Sequence, residues 1–257
     1  MPRYVHFTHL GKRRWGRVEE TSVYDVTGSP FEPTLQETGA VFDLDALNLE
    51  PPSLPTKIVC VGRNYRAHAA ELNNPVPKEP LLFLKPPSCL VGHGDTIAYP
   101  DGHSELVHHE GELAMIIGQR AKNVSESDLD RYVLGYTLLN DVTARDLQRR
   151  DVQFTRGKGF DTFGPCGPWI DTDFQPGEQT LTVRVNGELR QQGNLSDMIF
   201  SPANLLARIS QIMTLEPGDI ISTGTPAGVG PLVPGDLVQV SIEGLGTLEN
   251  HVQHASS

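Results

Sequence analysis

Apolar residues in this chain fall mostly into short blocks separated by Gly, Pro and Asn, a pattern of strands and turns. Near the N-terminus, Tyr4–Phe7, Trp15–Val18 and Val23–Val26 predict three short strands around a Gly11-Lys12 turn. Further on, Lys57–Gly62, Leu81–Lys85, Leu113–Ile117 and Val133–Leu139 predict core strands. Thr180–Val185 and Glu188–Gln191 flank Asn186-Gly187, a strong signal for a tight hairpin. Helical signals are few. Arg63–Leu72 has helix-forming composition, Ser125–Tyr132 predicts a short helix capped by Ser125, and Ala144–Arg150 predicts another. After a Ser201-Pro202 cap, Leu205, Leu206, Ile209, Ile212 and Met213 form one stripe expected to face the core. Phe163–Trp169, dense in Gly and Pro, is expected to be a loop, and Pro-Gly-Asp turns begin at Pro217 and Pro234. The sum predicts a mixed α+β chain, mostly β, with a closed or rolled sheet core.

The Pro-rich Leu49–Pro55 is stiff and marks the best boundary. Residues 1–50 then form a small β-rich N-terminal domain, and 56–257 the main domain. The 257 residues, 38% hydrophobic and 21% charged, suit an ordinary globular protein. No apolar run approaches the roughly 18–20 residues of a membrane span, and the N-terminus lacks the apolar core of a secretory signal. Cys60, Cys89 and Cys166 are odd in number and lack Cys-x-x-Cys spacing, which predicts reduced thiols in a cytoplasm. The net charge of −11 repels phosphate backbones and anionic membranes, so neither nucleic acid nor a membrane is expected as a partner.

Within this frame, Val107–Ile117 stands out. On a strand, His108, Glu110 and Glu112 share one face. Paired carboxylates there are either a wet acidic edge or ligands for a hard cation, which takes oxygen donors. Asp141, at the end of the Val133–Leu139 strand, offers a third carboxylate. The alternative zinc motif fails, because Leu113 stands where a second His is needed and the segment alternates like a strand. No Gly-x-Ser-x-Gly, phosphate loop or dinucleotide fingerprint is present. The oxygen-only set Glu110, Glu112 and Asp141 suits magnesium or manganese, with calcium also possible, and leaves open positions for a chelating 2-oxo acid. His68 and Glu71 are three apart and share a helical face, as an ordinary surface pair or as an oriented general base. Arg63, Arg145 and Lys158 flank the same elements as surface cations or as an anion clamp.

Four segments in order resemble the fumarylacetoacetate hydrolase family: Lys57–Tyr65, His109–Leu113, Asn140–Asp146 and Thr223–Gly230. The likeness runs from about residue 55 to the C-terminus, and the small N-terminal unit fits bacterial members. It implies a rolled β-sheet core, a homodimer, and a magnesium or manganese ion on Glu110, Glu112 and Asp141. It also implies a lid-helix dyad of His68 and Glu71, a catalytic Lys158, and substrate contacts from Arg63, Tyr65, Gln148 and Thr225. Where many bacterial relatives carry an aromatic residue, this chain has His109, expected to pack away from the metal. The expected activity is divalent-metal-dependent C–C hydrolysis or decarboxylation of 2-oxo or 2,4-dioxo acids such as acylpyruvates, fumarylpyruvate or oxaloacetate. In that chemistry the ion and Lys158 are expected to stabilise the enolate, and His68 to activate water. Alternatives are a keto–enol or double-bond isomerase of unsaturated diacids in aromatic degradation, or a non-catalytic metal-binding protein.

Overall fold

The strand pattern assembles into three packed sheets in the computed structural model, which describes residues 2–32 and 34–255. A twelve-stranded sheet forms the frame. Along it run Gln36–Asp43, Ser22–Thr27, Lys12–Glu19 and Arg3–His9, then Gly164–Asp171, Val133–Asn140 and Gly111–Ile117, and finally Ile220–Ser222, Ile58–Gly62 and Leu81–Lys85. A five-stranded sheet orders Glu188–Asn194, Thr180–Val185, Leu237–Ile242, Gly246–His254 and Thr96–Tyr99. Thr143–Ala144, Val107–His109 and Gly230–Leu232 make a third, small sheet. The protein is mostly β, with a small N-terminal unit.

Gly111–Ile117 is buried at every position, and past Glu112 its Leu113–Ile117 part is a continuous apolar run and not an alternating one. Leu113, Met115, Leu138, Leu181, Val183, Val240 and Ile220 belong to one core. The five-stranded sheet comes so close that a Cβ on Gly111 would lie 2.4 Å from Val183 Cγ2. Asn186 and Gly187 take positive φ of 53° and 81°, the geometry of a hairpin turn whose twist matches its strands. In the helix Pro202–Ile212, Ser201 Oγ accepts from Asn204 N at 3.2 Å, and Leu205, Leu206 and Ile209 are buried.

Three local expectations need correction, and one strand was not expected. Phe163–Trp169 is not a loop, because Gly164–Asp171 is a strand. Its prolines are tolerated where the pairing is irregular, with a register shift against the neighbouring strand between Tyr136 and Leu138. Ser125 caps nothing; its hydroxyl bonds to Ser127, and the segment is a 3-10 turn followed by the short helix Leu129–Tyr132. Ile212 ends its helix 64% exposed and leaves the stripe, whereas Leu205, Leu206 and Ile209 are in the core and Met213 packs against it. Gln36–Asp43 is an additional strand that no pattern announced, since nearly all its residues are exposed and none alternate.

The N-terminal strands extend the main sheet edge to edge. Arg3 and Tyr4 pair with Asp171 and Ile170, and the Arg3 guanidinium binds the Asp171 carboxylate at 2.8 Å. Val5, Phe7, Val18, Val23 and Leu49 form a small core of their own beneath this extension. The site is set by one feature of this topology. Between His109 and Gly111 the chain leaves the small sheet and enters the long one, and Glu110 sits at the crossing.

Candidate active site

Both main-chain groups of Glu110 are held by the adjoining strand end. Its N–H donates to Asn140 Oδ1 at 2.9 Å, and its carbonyl accepts from Asp141 N at 2.8 Å. The register, Gly111 opposite Asn140 and Glu112 opposite Leu139, brings Asp141 beside Glu110. Glu110, Glu112 and Asp141 are all buried, and one carboxylate oxygen of each lies within 4.8 Å of the others.

Three buried carboxylates need compensation. Lys158 Nζ donates to Glu110 Oε2 at 2.7 Å and to Asp141 Oδ2 at 2.5 Å. Arg145 pairs with Glu110 Oε1. Lys85 Nζ stands 2.8 Å from Asp141 Oδ1 but off the line of a hydrogen bond. Its protons go to the carbonyls of Val142 at 3.2 Å and Lys158 at 2.5 Å. Glu112 Oε2 accepts from Ser222 Oγ at 2.5 Å and Gly224 N at 2.8 Å. Asp141 Oδ1 accepts no hydrogen bond although it is buried.

The charges follow from these contacts. Burial pushes the Glu112 carboxyl well above the usual carboxylate range, and the charges of Asp141 and Glu110 push it further. Burial would raise Glu110 too, but Lys158 and Arg145 outweigh it and hold Glu110 below that range. Burial works against the Lys158 ammonium, yet Asp141 and Glu110 keep its pKa above the ordinary lysine value. The unmet demand therefore lies at Glu112, while Asp141 Oδ1 has the Lys85 charge beside it but no hydrogen bond. A hard divalent ion with oxygen preference answers that demand, so the residues fit magnesium or manganese.

A cavity of about 400 Å³ opens in front of the carboxylates and is also lined by Arg63, His68, Glu71, Gln148, Lys158 and Thr225. His68 Nδ1 lies 3.2 Å from Glu71 Oε2 on the short helix Arg66–Glu71. Glu71 Oε1 in turn accepts the Gly228 N–H at 3.0 Å, tying this helix to the Gly-rich 223–230 loop. Gly228 is required there, with φ of 100° and a would-be Cβ 2.3 Å from the Arg190 carbonyl. Gln148 Oε1 accepts from Arg145 Nη1 at 2.6 Å, which leaves its amide N–H groups for the cavity.

Of the expected site residues, Tyr65 alone does not join the others. It is buried, bridges to Met198, and lines a different cavity with Arg66 and Pro226. His109 packs away as expected, fully buried with Nδ1 at 2.9 Å from Gln191 Oε1, and burial lowers its pKa. His108 is pushed down to about 4, by burial and then by Arg145, and serves as no acid near neutrality. Lys85, Ser222 and Gln191 escaped sequence reasoning. Lys85 closes an apolar strand before two prolines, where a lysine ordinarily reaches solvent. Among the described residues, no helix is long and apolar enough to cross a membrane.

Comparison with known proteins places the sequence and the fold among relatives. The sequence profile of the fumarylacetoacetate (FAA) hydrolase C-terminal family matches residues 57–253, and an Rv2993c-like N-terminal profile matches residues 3–52. The chain is 47% identical to the mitochondrial oxaloacetate tautomerase of Arabidopsis thaliana, over 77% of this chain and 91% of that protein. The crystal structure of 2-hydroxyhepta-2,4-diene-1,7-dioate isomerase from Mycobacterium marinum superposes with a TM-score of 0.92, at 40% identity over 100% of both chains. Maleylpyruvate hydrolase from Sphingobium sp. SYK-6, solved with manganese(II) and pyruvate, superposes with a TM-score of 0.83, at 32% identity over 99% of this chain and 100% of that one.

Proposed function

The chain belongs to the fumarylacetoacetate hydrolase C-terminal family, and on that footing we propose a divalent-metal-dependent enzyme that takes 2-oxo or 2,4-dioxo acids through an enolate. One observation carries this reading. A single cavity has three carboxylates and Lys158 on one side and the His68–Glu71 pair among its other lining residues. Glu110, Glu112 and Asp141 would hold magnesium or manganese, which when bound supplies a Lewis acid for the carboxylate and 2-oxo oxygens of the substrate.

This chain's own groups handle the protons. Lys158 spends two of its three protons on Glu110 and Asp141, and has one for the oxygen on which negative charge develops. His68 turns Nδ1 to Glu71 and keeps Nε2 for exchanging a proton with the carbon beside the 2-oxo group, or with a water. Arg63 and Gln148 line the same cavity, and their N–H groups would donate to a ligand carboxylate.

Tautomerisation of an oxaloacetate-type acid asks only for these proton transfers, and the Arabidopsis relative is named for that reaction. It is the first reading. Hydrolytic C–C cleavage of an acylpyruvate, or decarboxylation, is the second. The water-activating dyad and the similarity to maleylpyruvate hydrolase favour cleavage. A non-catalytic metal-binding protein needs neither the dyad nor Lys158. We further propose a cytoplasmic homodimer; light scattering tests its mass. The decisive screen measures magnesium-dependent turnover of oxaloacetate, acylpyruvates, fumarylpyruvate and unsaturated seven-carbon diacids by enol absorbance. Turnover of at least one is expected, and none with any of them would sink the proposal.

A further inference from the structure

Thr225 lines the cavity but is only 2% exposed, and the direction of its hydroxyl can be read from the groups behind it. Gln191 is fully buried and uses its whole amide. Its Oε1 accepts from Gly111 N at 3.1 Å and faces His109 Nδ1 at 2.9 Å. Its Nε2 donates to the Pro226 carbonyl and to Thr225 Oγ1, each at 2.8 Å. Thr225 Oγ1 also lies 2.8 Å from the Gly111 carbonyl.

Three of these groups cannot exchange roles. A backbone N–H only donates and a backbone carbonyl only accepts. Gly111 N therefore demands the oxygen of the Gln191 amide, and Pro226 O demands its nitrogen. Gly111 O demands the single proton of the Thr225 hydroxyl, so that hydroxyl must accept from Gln191. His109, facing an amide oxygen, must donate from Nδ1. Its Nε2 is then a buried lone pair with no partner.

We propose that Gln191 is a positioning residue, which with the Gly111 carbonyl holds the Thr225 hydroxyl as a hydrogen-bond acceptor toward the cavity. Facing it, the ligand must offer an O–H donor: the enol hydroxyl of the substrate, or the water that attacks it. The Gln148 amide, whose oxygen is taken by Arg145, supplies the opposite polarity. The pair thus marks out a ligand edge that donates at one point and accepts at another. This inference rests on the reading of the cavity as the substrate site, so its test has an arm independent of ligand.

That arm is nitrogen-15 spectroscopy of the imidazole in the metal-free protein. His109 is expected as the Nδ1–H tautomer, and an Nε2–H tautomer would overturn the orientation chain. The second arm titrates oxalate, which offers acceptors only, calorimetrically into manganese-loaded wild type, Thr225→Val, Thr225→Ser and Gln191→Met. Oxalate affinity is expected to stay within about threefold throughout. Meanwhile kcat/KM should fall about tenfold or more in Thr225→Val and Gln191→Met, and recover in Thr225→Ser, the scale of one lost buried hydrogen bond. A fall with enol oxaloacetate identifies the enol hydroxyl as the donor; a fall confined to acylpyruvate hydrolysis identifies the water. A tenfold loss of oxalate affinity in Thr225→Val means that the hydroxyl donates, and full turnover by that variant on both substrates means that it contacts nothing. Either result overturns the proposal. Thr225→Val and the spectra decide the matter even if Gln191→Met does not fold. If wild type binds no oxalate, the reading of the cavity falls, and the spectra still judge the orientation.

Discussion

Glu112 carries the largest uncompensated charge demand in the site, and its behaviour should be visible without any substrate. Its pKa in the folded protein is raised, by burial and then by Asp141 and Glu110. The contribution of Glu112 to the stability of the metal-free protein is then complete below the usual glutamate value of about 4.3 and is lost as the pH rises above it. Glu110, held below the carboxylate range, and Lys158, held above the lysine value, do not titrate in this interval. The gain in Tm on adding magnesium should therefore widen from about pH 5 to about pH 8. A constant gain would contradict it. Glu110→Gln leaves Arg145 and Lys158 facing a neutral amide in a buried place. It should cost about 3–5 kcal/mol of stability and abolish calorimetric magnesium binding. The carboxylates were legible in the sequence because strand alternation and a strand end expose such residues to pattern reading. Lys85 and Gln191 were not. Both are buried by partners far along the chain, Gln191 by a histidine 82 positions away.

At the scale of elements, the dyad helix and the Gly-rich loop act as one unit through Glu71 and Gly228. His68→Gln should lower turnover about 100-fold or more while magnesium binding persists, since His68 is not a ligand candidate. Gly224 takes φ of 99°, and a Cβ there would stand 2.7 Å from Asn64 Cβ and 2.9 Å from the Val61 carbonyl. Gly224→Ala should thus cost about 2 kcal/mol or more, and it should weaken magnesium binding by displacing the N–H that holds Glu112. Unchanged calorimetry and denaturation would refute this. Most strands were legible from apolar blocks, and the Asn186-Gly187 hairpin from its turn chemistry. The Gly164–Asp171 strand was hidden because its glycines and prolines, ordinarily turn signals, serve close approach; a Cβ on Gly164 would stand 2.6 Å from Cys89 Sγ.

For the whole molecule, the strand pattern and the resemblance both conveyed the mostly β architecture, but neither could show how the N-terminal strands attach. Their pairing with Gly164–Asp171 makes the twelve-stranded sheet continuous across the Pro-rich connector, and Ser53 Oγ pins that connector to the Gly218 carbonyl at 2.5 Å. Calorimetry should accordingly record one cooperative unfolding transition; a separate early transition of the N-terminal strands would contradict this continuity. The net charge of −11 says nothing of the carboxylates themselves, around which Lys85, Arg145 and Lys158 gather. Charge balance at the site is local, and no sum over the chain reveals it.

We propose that Glu110, Glu112 and Asp141 make enolate chemistry depend on a divalent ion. The most direct test is the rate of enol-oxaloacetate ketonisation by chelator-treated protein, before and after adding magnesium, in wild type and in Asp141→Asn. After subtraction of the uncatalysed rate, activity should vanish on chelation, return with magnesium in wild type, and stay absent in the variant. Turnover that survives both chelation and Asp141→Asn would rule out a carboxylate-held ion as the source of the activity.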